Sequence, residues 1–131
     1  MRKIALAAAS VAIAGAAALV TAPSASAFVP IVDLQVTGGI SCGGPLPGRA
    51  ETNSQTDHGY VRNNGNVPAV NVWLGFGGGG GQGRASLAPG QGFAVTRTVP
   101  TWGCPFRSTW VHTATSSFDI NYSNNYFVAR N

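Results

Sequence analysis

The chain has 131 residues, of which 9% are charged; it carries 18 glycines, two cysteines and a formal net charge of +4. That length leaves room for one compact domain and not two. Its arginines are scattered singly, which argues against the clustered cations a nucleic-acid surface needs.

Residues 1–27 have the three zones of a secretory signal peptide. Arg2 and Lys3 form a short basic region, and Ile4–Val20 is uncharged with Ser10 as its one polar residue. The stretch Thr21–Ala27 breaks the apolar run and ends Ala25-Ser26-Ala27, the small-residue pattern a signal peptidase cuts, so cleavage is expected after Ala27. A retained anchor is the competing reading. The apolar run is rich in Ala, and its 17 residues fall short of the ~20 that span a bilayer. No cysteine stands at the cut to take a lipid, so no stable membrane anchor is expected after cleavage. Removing residues 1–27 leaves 104, and the charge falls from +4 to +2 because Arg2 and Lys3 go with them.

Cys42 and Cys104 both lie in the exported part. In an oxidising compartment such a pair most simply forms one disulfide, and its long loop would contribute ~4 kcal/mol in the chain-entropy model. Two free thiols acting as redox groups or metal ligands would favour closer spacing.

Beyond residue 27 helix formers are sparse, and β-branched and aromatic runs alternate with Gly, Pro, Asn and Ser clusters. The first run is Phe28–Val36, with Leu34 and Val36 on one face and Asp33 and Gln35 on the other. The glycine- and proline-rich stretch from Thr37 to Gly48 reads as loop. A polar strand follows at Ser54–Arg62, and then a tight Asn63-Asn64-Gly65-Asn66 connection. In Ala69–Phe76, Val70, Val72, Leu74 and Phe76 alternate with Asn71, Trp73 and Gly75. Gly77–Gly81, with Gln82 and Gly83, reads as a mobile hairpin-like loop. Strands are then expected at about Gly92–Val99, Phe106–Thr115 and Tyr126–Arg130, the last after the polar turn Asn121–Asn125. Six or seven strands in about 100 residues predict an all-β, immunoglobulin-like antiparallel β-sandwich, preceded by a signal helix.

Several short motifs occur in order: Asp33-Leu34, Val61-Arg62-Asn63-Asn64-Gly65, Ala69–Leu74, Leu87-Ala88-Pro89-Gly90-Gln91 and Asn124-Asn125. This order resembles the bacterial CARDB-type domains, immunoglobulin-like or fibronectin-III-like sandwiches of exported proteins, over most of residues 32–130. The family usually carries several acids before the paired asparagines, where this chain has Asp119 alone. The resemblance implies a surface or secreted adhesion or ligand-binding module and brings no catalytic residues with it.

The residues themselves offer little chemistry. Asp57 and His58 are neighbours, so a strand points them to opposite faces, and no Gly-x-Ser-x-Gly elbow occurs. His58, His112, Cys42 and Cys104 match no compact zinc spacing, and the four acids form no calcium loop, so no metal and no cofactor are expected. The polyglycine run lacks the Gly-Lys-Ser/Thr of a phosphate cradle. The aromatics carry more. Trp73 lies opposite the apolar stripe of its own strand, and Trp73, Tyr60 and Trp110 are the candidate binding residues, with Trp110 equally open to a core role. The expected function is a secreted, non-enzymatic binding or adhesion module for a protein or a cell-wall polysaccharide. The alternative is a secreted protease inhibitor that presents a disulfide-braced loop near Cys42–Gly48.

Overall fold

The computed structural model describes residues 27–49, 53–102 and 107–130. The signal segment 1–26 and Cys104 lie outside the described residues. Among the described residues seven strands form: β1 Leu34–Gly43, β2 Asn53–Asn63, β3 Ala69–Phe76, β4 Gly81–Leu87, β5 Gly92–Thr101, β6 Ser108–Ala114 and β7 Tyr126–Arg130. A single turn of 3₁₀ helix, Tyr122–Asn124, leads into β7. The strands make two antiparallel sheets, ordered β1-β2-β5 and β4-β3-β6-β7, that face each other as an immunoglobulin-like sandwich.

The inner faces meet over Leu34, Val36, Val61, Val72, Leu74 and Val111, all at most 4% exposed. Along β2 the alternation sends Asp57, Gly59, Val61 and Asn63 inward and His58, Tyr60 and Arg62 outward. Gly38 and Gly59 are paired across β1 and β2. A Cβ on either would come within 2.6 or 2.7 Å of the Val111 methyls, so this glycine pair is the socket in which Val111 seats. That contact explains why β1 continues through Gly38 and Gly39 to Gly43, where the composition pointed to a loop. The backbone there is fully paired with β2, and the missing side chain is what the facing sheet requires.

Asn63 closes the apolar end. It is fully buried; its Nδ2 donates to the carbonyls of Val67 at 2.8 Å and Leu87 at 2.9 Å, and its Oδ1 accepts from the Gly65 amide at 2.9 Å. The β2–β3 connection is therefore organised by one buried side chain whose hydrogen-bonding capacity is used.

The expected stripe on β3 holds from Val72 onward and fails before it. Ala69 is fully buried while Val70 is 46% exposed, because Asn71 takes a left-handed conformation (φ 52°) and inverts the alternation at that point. Asparagine tolerates this region better than any residue except glycine. Its Nδ2 also donates to the Ser116 hydroxyl at 3.2 Å. Asn71→Val should lower the unfolding free energy by about 1–2 kcal/mol, whereas Asn71→Gly should change it by at most a few tenths. Urea titration of the two variants beside the parent chain checks this, and equal losses would show that the backbone at 71 is not the cause.

Gly81, Gln82 and Gly83, expected as part of a loop, begin strand β4, which runs on to Leu87 through residues that carry no strand signal in the sequence. The glycines before them make the reversal: Gly78, Gly79 and Gly80 all have φ between 86° and 98°. The loop is also held. Arg97 of β5 donates through Nη1 to the Gly79 carbonyl and through Nη2 to the Gly77 carbonyl at 3.3 Å, and its guanidinium lies 5.1 Å from the Phe76 ring centre.

Candidate functional site

The outer face of the four-stranded sheet is set by register. Trp73 on β3 is opposite Gly83 on β4 and Ala114 on β6; Gly75 is opposite Gly81 and His112; Trp110 and His112 on β6 are opposite Val128 and Tyr126 on β7. Trp73, His112, Trp110 and Tyr126 thus share one surface.

Trp73 is 44% exposed although it packs closely. A Cβ at Gly75 would stand 2.6 Å from its Nε1, one at Gly81 2.5 Å from its Cζ2, and one at Gly83 3.5 Å from its Cε3. The indole therefore lies across a bed of three glycines, with one ring face on backbone and the other turned to solvent. Trp110 repeats the arrangement with Gly77, where a Cβ would lie 3.1 Å from its own Cβ and 3.4 Å from its Cγ. Trp110 is 56% exposed, so of its two sequence readings the structure shows the surface one. Tyr126 meets it edge-on, ring centres 5.7 Å apart at 75°. An open cavity of about 330 Å³ lies beside Trp110, lined by Gly77, Gly78, Ser108 and Thr109. From strand geometry the Cα atoms of Trp73 and Trp110 stand about 14 Å apart, which places them as two platforms on one surface.

Tyr60, the third candidate, is not part of that surface. It lies on the outside of the three-stranded sheet, 41% exposed, and reaches over Gly92 of β5. Tyr126 was missed by sequence reasoning. Its signal was its outward parity on the closing strand, legible only once β7 was known to pair with β6.

The two histidines separate. His112 is half-buried in the aromatic surface, and His58 lies on the opposite sheet. His58 Nε2 is 2.8 Å from the Ser41 hydroxyl, a diagonal pair made possible by Gly39, which stands opposite His58 and leaves space above the strand. Asp57 points into the sandwich, as its neighbour's outward direction requires, so the acid that would orient this imidazole faces away. Among the described residues no group of three metal-ligating side chains converges. No cysteine among them is free, and Cys42 is near the end of β1.

No family model matches the chain, and no curated protein matches it. Among solved structures it is similar to a Bordetella pertussis protein described as ApaA, with 17% identity over 77% of this chain and 89% of that one, at a TM-score of 0.42.

Proposed function

We propose that this chain is a secreted, non-enzymatic module of CARDB type that binds a cell-wall polysaccharide on the outer face of its four-stranded sheet. The observation that carries the reading is the pair of tryptophans laid on glycines, each offering an aromatic surface to solvent on the same side of the molecule. A glycine bed fixes the indole without covering it, so little rotamer freedom remains to be lost on binding. The flat C–H face of a sugar ring fits such a surface, and two separate platforms suit a ligand with repeating rings. A protein partner would favour anchors buried in a pocket, whereas Trp73 and Trp110 stay 44% and 56% exposed.

Secretion is supported by the zones of residues 1–27, and a Cys42–Cys104 disulfide by placement. Gly43 pairs with Ser54, and Ser54 with Pro100, so β1 and β5 end on the same side of the three-stranded sheet. They are two strand spacings apart, about 10 Å, and Cys104 follows Thr101 by three residues, enough chain to cross that gap.

The test is co-sedimentation of the mature chain with insoluble cell-wall polysaccharide. Trp73→Ala and Trp110→Ala should each weaken retention about tenfold or more, the scale of a truncated aromatic hot spot. Tyr60→Ala, on the other sheet, should retain parental binding. Circular dichroism of each variant confirms the fold. Unchanged retention in both tryptophan variants would sink the proposal.

A further inference from the structure

The two lateral sides of the sandwich differ. On one, β1 and β7 pack against each other. On the other, between β4 and β5, the seam is open and holds a cavity of about 450 Å³ lined by Arg84, Ser86, Leu87, Gln91, Gly92 and Phe93. Among the described residues strand β4 pairs with β3 alone, so its second edge presents unpaired amides and carbonyls. Exposed edges are usually guarded by Lys, Pro or a bulge. The β4 sequence Gly-Gln-Gly-Arg-Ala-Ser-Leu has no Lys and no Pro, and Arg84 at its centre is its single charge.

We propose that this edge takes up an extended acidic peptide as an added strand, at a site that borders the aromatic face at Trp73 and lies away from Trp110. Three observations converge. Unpaired main chain supplies the hydrogen bonds of strand addition. Cavities lie on both sides of the strand, because besides the seam a second one of about 350 Å³ lies against Asn71, Val72, Trp73, Gly83, Arg84 and Ala85. Successive side chains of an added strand point to opposite faces, so one would enter the seam and the next the cavity beside Trp73. Finally, the seam carries an unneutralised cation. Arg84 is opposite the inward-facing Val72, and its Cζ lies 5.3 Å from the Phe93 ring centre. Among the described residues the ion pair is Arg97 with Asp57, which leaves Arg84 without a carboxylate. A Glu or Asp on the added strand supplies one. A second copy of this chain is the poorer occupant. Antiparallel pairing of β4 with itself about its centre sets Arg84 against its own symmetry mate, and like charges directly opposite destabilise a ladder.

The experiment titrates the mature chain with fluorescein-labelled Ser-Val-Glu-Val-Glu-Val-Ser and with its Lys counterpart, read by anisotropy. The Glu peptide should bind at least about tenfold more tightly than the Lys peptide, the scale of one charge-assisted contact. Arg84→Glu should invert that order. N-methylation of alternate peptide nitrogens should abolish binding on one edge and spare it on the other. Trp110→Ala should leave peptide binding intact, and N-methylation alters the peptide alone, so failure of one site is read separately from failure of the other. Equal binding of both peptides, an unchanged order in Arg84→Glu, or indifference to N-methylation would overturn the proposal. So would a concentration-dependent doubling of mass in the protein alone, which would assign the edge to a second copy.

Discussion

Asp57→Ala should lower the unfolding free energy by about 3–5 kcal/mol, the usual cost of removing one partner from a buried ion pair. Asp57 is fully buried. Its Oδ2 accepts from Arg97 Nη2 at 2.6 Å, Arg97 Nε at 3.1 Å and the Thr109 hydroxyl at 3.3 Å, while Oδ1 accepts from Gln55 Nε2 at 2.5 Å. These groups fill the inner space between β2, β5 and β6 toward one end of the sandwich. Truncation leaves a guanidinium facing a cavity with its strongest acceptor gone. Against a total stability of about 5–15 kcal/mol, such a loss brings a domain of this size close to its folding limit. The penalty belongs to the orphaned charge rather than to the pair itself, so Asp57→Leu combined with Arg97→Met should recover much of it. Urea unfolding of the single and double variants decides the matter. A double variant no better than Asp57→Ala would mean that the polar network, not the lone charge, sets the cost. Arg97 also anchors the Gly77 and Gly79 carbonyls, so the single variant should expose the amides of that turn to faster hydrogen exchange.

Asp119→Ala is expected to cost about 3 kcal/mol or more, since hydrogen bonds to a charged group contribute roughly 1.5–3 kcal/mol each and do not add fully. This second buried carboxylate accepts from the Leu34 amide at 2.9 Å, the Asn125 side chain at 3.0 Å and the Asn121 amide at 2.9 Å. Nearby, Asn124 Nδ2 donates to Asp33 Oδ1 at 2.8 Å, and the Ile120 amide donates to the Val32 carbonyl at 3.1 Å. Asp119 is thus the knot that ties the entry of β1 to the connection between β6 and β7. Asp119→Asn keeps an acceptor oxygen and should lose markedly less. Calorimetric unfolding of both variants, with exchange of the Leu34 amide, tests the assignment. An Ala variant within about 1 kcal/mol of the parent would show that water replaces the carboxylate at little cost.

The strand pattern was legible where side chains obey the simple alternation, and it blurred where a glycine or a left-handed residue intervenes. The outward direction of Trp73 could be read from β3 alone. The inversion at Asn71 could not, because asparagine fits an ordinary strand equally well in sequence. Strand β4 escaped notice because an edge strand needs no β-branched face: it has one neighbour, and five of its seven residues are exposed. Neither Asp57 with Arg97 nor Asp119 with Leu34 could be matched from the sequence. Each pairing depends on the register between segments 40 or 85 residues apart. The candidate site was legible in part. Trp73 and Trp110 have outward parity, but which sheet each strand joins separates Tyr60 from them and adds Tyr126.

The bond from Leu34 to Asp119 also has a consequence in time. Ribosomes deliver the chain from its N-terminus, so β1 and β2 can zip together early. Yet the amide at the head of β1 stays without its acceptor until residue 119, 85 positions later, has joined the fold. Chains truncated before residue 119 should therefore hold a loose, protease-sensitive intermediate in which β1 and β2 are paired and the sandwich is not closed.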